Sequence, residues 1–149
     1  MKTENYGNAN ETFFQRQSHI NIAEELFQEW AERKNYSIYR LGFTEKSNPI
    51  QKFYNLSDVL RNVPDYVIER GDKLFVVNVK GTGNIKQKEY RIIPELIKSY
   101  SSSKSPLIYA FCFKGYEPIF KTAEDVMRLY EQGIDSKWND GIVYRHIKL

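Results

Sequence analysis

The sequence predicts one mixed α/β domain whose elements follow the order αβββαβ, with a further helix and strand behind them. An amphipathic helix pattern leads directly into a strand pattern, and two more strand patterns flank a tight turn at Gly71-Asp72. A second helix pattern is then followed by another apolar strand. We therefore expect a central mixed sheet flanked by helices, and 149 residues suit a single core.

The first helix is predicted from apolar residues that recur every three or four positions between Asn21 and Lys34. Residues 36–43 then alternate apolar and polar side chains, which is typical of a strand with one buried face. Ser57 is suited to cap a short helical turn that ends at Leu60.

The next pattern is a β-hairpin over residues 65–80, with its turn at Gly71-Asp72. Its second strand is almost entirely apolar from Leu74 to Val79, which indicates a strand in the middle of a sheet with both faces covered. The remaining predicted elements are an extended segment over 85–90, a helix from Pro94 to about Tyr100, a strand over 107–113, a helix from Thr122 to Tyr130, and a strand over 142–147.

Composition and charge narrow the class of protein. The 28% of charged residues carry both signs and accompany 15% aromatic residues, which indicates a packed globule rather than a disordered chain. The net charge of +3 is compatible with nucleic-acid binding without requiring it. Residues 1–17 are polar, so we expect a flexible arm there, followed by a single domain over residues 18–149.

Cys112 is the only cysteine, which excludes an intrachain disulfide and fits a reducing cytoplasm. No stretch approaches 18 consecutive apolar residues and no secretory signal is visible, so we expect a cytoplasmic protein without membrane contact. His19 and His146 lack the spacing of a zinc site. The Gly81-x-Gly83 loop lacks the setting of a nucleotide-binding loop, and we expect it to let the backbone approach DNA.

The ends of the hairpin carry the residues that suggest chemistry. Asp65 begins the first strand, and Asn78 and Lys80 end the second, so antiparallel pairing places them side by side. Hydrolysis of a phosphodiester at a metal site uses oxygen ligands from adjacent strands around Mg²⁺. A lysine two residues after the second ligand lies on the same face of its strand and is placed to orient the attacking water.

Here the chain resembles the PD-(D/E)xK nucleases, and among them the archaeal-type Holliday-junction resolvases. Pro64-Asp65 matches the PD element, and the tripeptide from Asn78 to Lys80 matches (D/E)xK with Asn in the acidic position. Ala23-Glu24 in the first helix resembles an alanine-glutamate pair that supplies a further active-site carboxylate in those resolvases. The resemblance covers about residues 20 to 115.

The resemblance implies a restriction-endonuclease-like fold and a DNA endonuclease that requires Mg²⁺ or Mn²⁺, acts on branched or duplex DNA, and works as a homodimer. The metal would be held by Asp65, Asn78 and the backbone carbonyl of Val79. Lys80 would position water, and Glu24 would assist through the metal or the water. A basic group beyond the site is the candidate grip on DNA phosphates: Lys86, Lys88, Arg91 and Lys98.

Asn78 leaves two interpretations open, because an amide oxygen can bind Mg²⁺ but brings no negative charge. Either the native residue is Asp and was changed to silence a nuclease, or this is a natural variant in which Glu24 or another acid does more. The alternative function is a catalytically inactive module of the nuclease fold that binds DNA or a protein. A purely structural subunit of a larger assembly is a third.

Overall fold

The computed structural model describes residues 12–41, 57 and 62–149. Five strands form the central sheet: β1 (Ser37–Arg40), β2 (Tyr66–Arg70), β3 (Lys73–Lys80), β5 (Leu107–Phe111) and β6 (Ile119–Thr122). Their order is β1-β2-β3-β5-β6, with β5 parallel to β3 and the other neighbours antiparallel. This is the predicted mixed sheet, and its central position confirms the prediction for the apolar run in β3.

The first helix, α1 (Phe13–Arg33), begins earlier than the apolar pattern predicts. The Thr12 hydroxyl accepts a hydrogen bond from the amide of Gln15, and the Gln15 side chain accepts one from the amide of Thr12. This reciprocal capping box starts the helix eight residues before the apolar pattern does. Residues 13–17, which we expected in a loose arm, are therefore helical, whereas residues 1–11 lie outside the described part.

A buried arginine fixes the beginning of α1 to the far end of the chain. The Arg16 guanidinium carbon lies 4.3 Å from the ring centroid of Trp138, and its Nη2 is 2.5 Å from Oδ2 of Asp140. Trp138 also stacks on Tyr144, with ring centroids 4.0 Å apart. These contacts order the first turns of α1, so the polar composition of this segment did not indicate disorder.

The hairpin forms as predicted, with Arg70 paired to Lys73 across the turn and Tyr66 paired to Val77. Gly71 has φ +62°, which glycine adopts without strain. β1 is shorter than its sequence pattern, and the end of that pattern at residues 42–43 lies outside the described residues. The same is true of most of the expected turn from Ser57 to Leu60.

The expectation of an extended segment over residues 85–90 is wrong. Only β4 (Asn84–Lys86) is extended, and α2 (Gln87–Tyr100) begins directly after it. Pro94 lies in the middle of α2 rather than in its first turn. The sequence carried the signal for the longer helix, because Tyr90, Ile93 and Ile97 recur at three- and four-residue spacing.

A small second sheet closes one end of the domain. β7 (Asp135–Lys137) and β8 (Val143–His146) are antiparallel, and β4 pairs with the other edge of β8. The predicted helix that Thr122 caps is α3 (Ala123–Glu131). β6 and β7 were not predicted, because neither of their sequences, IFKT and DSK, alternates apolar and polar residues.

Two apolar cores lie on opposite faces of the central sheet. The α1-side core consists of Ala23, Phe27, Ala31, Tyr66, Ile68, Val77, Val79, Ala110 and Cys112. The α2-α3-side core is larger and consists of Val76, Ile85, Ile93, Leu96, Leu107, Tyr109, Phe111, Phe113, Ala123, Val126, Tyr130 and Ile147. Helices thus cover both faces of the sheet, and the predicted αβββαβ core is confirmed. Within the described ranges, no helix is long and apolar enough to cross a membrane.

Candidate active site

The two halves of the predicted motif meet at one end of the hairpin. The amide of Asp65 donates to the carbonyl of Val77 at 3.1 Å, which continues the β2–β3 ladder one residue beyond the strand. Oδ2 of the Asp65 carboxylate accepts a hydrogen bond of 2.8 Å from the amide of Val79. The side chain of Asp65 therefore lies against the backbone between Asn78 and Lys80, as the predicted pairing required.

Burial raises the pKa of Asp65 from 3.8 to about 7, and the negative charge of Glu24 acts in the same direction. The amide of Val79 and the positive charges of Lys80 and Arg40 oppose this rise and do not cancel it. A carboxyl group that holds its proton near neutral pH is typical of a functional site. A cation bound nearby would stabilise the ionised form of the Asp65 carboxyl group.

Asn78 and Lys80 lie on the face of β3 that carries Val76, because side chains along a strand alternate. Both are half-buried. In the parallel pairing with β5, Asn78 lies beside Tyr109. The two side chains therefore share a face of the strand, as their two-residue spacing predicted, and the structure places that face on the α2 side of the sheet.

Sequence reasoning missed the residue that contacts Lys80. Nζ of Lys80 lies 3.1 and 2.8 Å from the two carboxylate oxygens of Glu89, which stands in the first turn of α2. Both side chains are mostly shielded, at 18% and 23% exposure, so solvent screens the pair less than it would a surface pair. Because residues 87–90 were expected to be extended, nothing in the predicted arrangement placed Glu89 at the site.

Glu24 lies on the other side of the sheet. Its Oε2 is 3.5 Å from Nη2 of Arg40, and its charge is close enough to raise the pKa of Asp65. The Arg40 guanidinium lies over the ring of Tyr66 at 4.7 Å and also donates to the Tyr66 hydroxyl, which accepts a second hydrogen bond of 2.6 Å from Gln28. Arg40 thus holds a second positive charge at the site, across Asp65 from Lys80.

The predicted basic group divides into two environments. Lys88, Arg91 and Lys98 are exposed on one face of α2, at positions three and seven residues apart. Lys86 is instead half-buried at the helix start, and burial together with the charge of Lys80 lowers its pKa. The three exposed cations begin next to the site and extend along α2 for about 15 Å.

The expected role of the glycine loop in approaching DNA is wrong. Gly81 and Gly83 are both buried. A Cβ on Gly81 would lie 2.3 Å from the backbone oxygen of His19, and one on Gly83 would lie 3.0 Å from the ring of His146. These glycines allow close packing inside the protein, and the same pattern in the sequence could not distinguish that from packing against a ligand.

The atoms that could hold a metal are hard oxygen donors. They are the carboxylates of Asp65 and Glu89, the amide oxygen of Asn78, the carbonyl of Val79 and, on the α1 side, the carboxylate of Glu24. Oxygen donors of this kind suit Mg²⁺ or Mn²⁺. Over residues 12–41, 57 and 62–149 no three His, Cys, Asp or Glu side chains converge as a ready metal cage. The donor set therefore fits a hard divalent ion in chemistry, with few charges to hold it.

The fold and the site together define an α/β domain with an αβββαβ core that carries Asp65, Asn78 and Lys80 at the end of its central hairpin. No family model matches the chain, and no curated protein matches it. Among solved structures, the chain is similar to Hjc, a Holliday junction resolvase from Archaeoglobus fulgidus. The TM-score is 0.45 at 9% identity, over 83% of this chain and 85% of that one.

Proposed function

We propose that this chain is a divalent-metal-dependent DNA endonuclease whose activity is weakened at Asn78. The observation that carries the proposal is the hydrogen bond from the amide of Val79 to Asp65, since it holds the two halves of the motif at one point. Asp65, Asn78 and the carbonyl of Val79 would hold Mg²⁺ or Mn²⁺. When bound, such an ion activates water and stabilises the charge that develops on a phosphate.

The protein side chains have separate tasks in this proposal. Lys80 lies on the same face as Asn78 and would orient the attacking water. Arg40, on the opposite side of Asp65, is one-third exposed and would contact a phosphate of the substrate. The exposed cations of α2 would bind neighbouring phosphates without reading the sequence. Glu24 would keep Arg40 in place and assist at the metal or water.

A cleavage assay tests the proposal. End-labelled four-way junction, duplex and single-stranded DNA would be incubated with Mg²⁺ or Mn²⁺. The protein with Asn78 should cut slowly, Asn78→Asp should cut at least about tenfold faster, and Lys80→Ala should not cut. Lys73→Ala is a matched control, because Lys73 is exposed at the opposite end of the same strand. If folded Asn78→Asp cuts none of the substrates with either metal, the proposed activity is refuted.

A second candidate function is a nuclease-fold module that binds DNA without cutting it. Two observations favour it: Asn78 brings no charge, and both oxygens of Glu89 engage the lysine that would otherwise orient water. This candidate predicts salt-dependent DNA binding in EDTA and no gain from Asn78→Asp. Removing Lys88 or Arg91 should then reduce the slope of log affinity against log salt by about one each.

A further inference from the structure

Glu89 brings a carboxylate into contact with Lys80, on the side of the sheet where Asn78 brings none. β4 pairs with β8, and α2 begins at Gln87 directly after β4. Glu89 therefore lies in the first turn of α2, beside Lys80. The positive end of the helix dipole attracts negatively charged groups to the first turn of a helix. Glu89 therefore reaches the same side of the sheet as Asn78 and Lys80, although it lies nine residues after Lys80.

A buried hydroxyl points into the same place. Tyr109 is 0% exposed, and among the described residues its hydroxyl makes no hydrogen bond of regular geometry. Burial raises the pKa of this phenol most, and the charges of Glu89 and Asp65 raise it further. A hydrogen-bonding interaction with the side chain of Asn78, its neighbour on β3, lowers the pKa. A buried hydroxyl whose one polar neighbour is poorly aligned is costly, and a polar occupant at this site would relieve that cost.

The net charge of the side chains around this site depends on Glu89. Arg40 and Glu24 offset each other on the α1 side. On the α2 side, Lys80 offsets the charge of Asp65, so these two residues and Asn78 together carry no net charge. Adding Glu89 gives these four side chains a charge of −1 when Asp65 is ionised, so Glu89 supplies negative charge that a divalent cation needs beside Lys80 and the half-buried Lys86.

We propose that Glu89 supplies the carboxylate that Asn78 lacks, and that a hard divalent cation at this site is held between Asp65 and Glu89. This proposal rests on the proposed function. A carboxylate can accept about four hydrogen bonds or metal contacts, so the contacts of Glu89 with Lys80 leave capacity for an ion. The Tyr109 hydroxyl would donate a hydrogen bond to the side chain of Asn78.

Binding of Mn²⁺ alone tests this without relying on catalysis. The full chain would be titrated with Mn²⁺, and the free ion would be measured by electron paramagnetic resonance. Glu89→Gln should weaken binding at least about tenfold, and adding Asn78→Asp to Glu89→Gln should restore it, because the number of carboxylates is then unchanged. Glu95→Gln is the matched control, since Glu95 is exposed on the same helix and should leave the affinity unchanged.

Glu89→Gln also removes the ion-pair partner of Lys80. A Lys80→Met protein separates this effect from the loss of a cation ligand. In a protein that already carries Lys80→Met, Glu89→Gln should still weaken Mn²⁺ binding about tenfold if Glu89 serves the cation. If Glu89 only neutralises Lys80, the affinity in this background should not change, and that result overturns the proposal. Circular dichroism would verify that each variant is folded.

The failure of this proposal is distinguishable from the failure of the proposed function. If Asn78→Asp binds Mn²⁺ and cuts DNA while Glu89→Gln binds Mn²⁺ as well as the wild type does, the role of Glu89 is refuted and the nuclease remains. If no variant binds Mn²⁺, Asn78→Asp included, both are refuted. Restored binding in the double variant supports both.

Discussion

Asp65→Asn should stabilise the protein at alkaline pH and leave its stability nearly unchanged at acidic pH. Asn has the shape of the protonated acid, and its amide oxygen can still accept the hydrogen bond from Val79. Burial raises the pKa of Asp65 to about 7, so ionising this group in the folded protein is unfavourable. The substitution removes that cost without removing the contact.

The sign and the pH window follow from the two pKa values. Between 3.8, the ordinary value, and about 7, the folded protein keeps a proton that the unfolded chain loses, so stability falls as pH rises through this window. Each pH unit corresponds to about 1.36 kcal/mol, and the whole window to about 4 kcal/mol. Water reaches the half-buried carboxylate, so we expect a measured difference of about 2 to 4 kcal/mol.

Urea unfolding at about pH 5, 6, 7 and 8 would measure this difference. Tryptophan fluorescence would report unfolding, and EDTA would exclude metal. The advantage of Asp65→Asn over the wild type should grow with each step up to about pH 7 and then level off. All other acids are common to both proteins, so their titration cancels. Asp72→Asn, in the exposed hairpin turn, is the control and should show no such trend. An advantage that stays constant from pH 5 to 8 would refute the reasoning.

Three further predictions concern packing. Gly81→Ala should lower the free energy of unfolding by more than about 2 kcal/mol, because its Cβ would lie 2.3 Å from a carbonyl oxygen of α1. Gly71→Ala has open space and should lower it by about 1 kcal/mol because of its positive φ, and equal losses in urea unfolding would contradict this. In thermal unfolding, Arg16→Ala should lower the stability by about 2 kcal/mol, and Arg128→Ala, at an exposed position, by less than about 0.5 kcal/mol. The reverse order would show that the contacts of Arg16 do not stabilise the start of α1. Burial raises the pKa of Cys112 to about 12, so a disulfide reagent should label it only as fast as the protein unfolds, and rapid labelling of the folded protein would disprove its burial.

The hairpin shows how far local patterns reach. Alternation, the turn at Gly71-Asp72 and the apolar run before Lys80 predicted both strands and their pairing, and hence the position of Asp65 beside Val79. These are properties of neighbouring residues, so the sequence carries them directly. The positions of Asp65, Asn78 and Lys80 at one end of the hairpin could be predicted for the same reason, and their roles stay predictions.

The start of α1 shows where an available signal was overlooked. The Thr12-x-x-Gln15 capping box predicts a helix from Phe13, but the polar residues that follow it suggested a loose arm. What orders this segment is the contact of Arg16 with Trp138 and Asp140, more than 120 residues away. A local pattern cannot reveal a partner at that separation.

The sequence by itself determined the α/β class, the hairpin, the two-residue spacing of Asn78 and Lys80, and the deficit of charge at position 78. Only the tertiary structure decided that Glu89 contacts Lys80 and that Tyr109 lies beside Asn78. Periodicity along a chain specifies which face a side chain takes, because it depends on neighbouring backbone angles. Which side chains then share a site depends on how β4, α2 and β5 pack against β3, and that is a property of the whole fold.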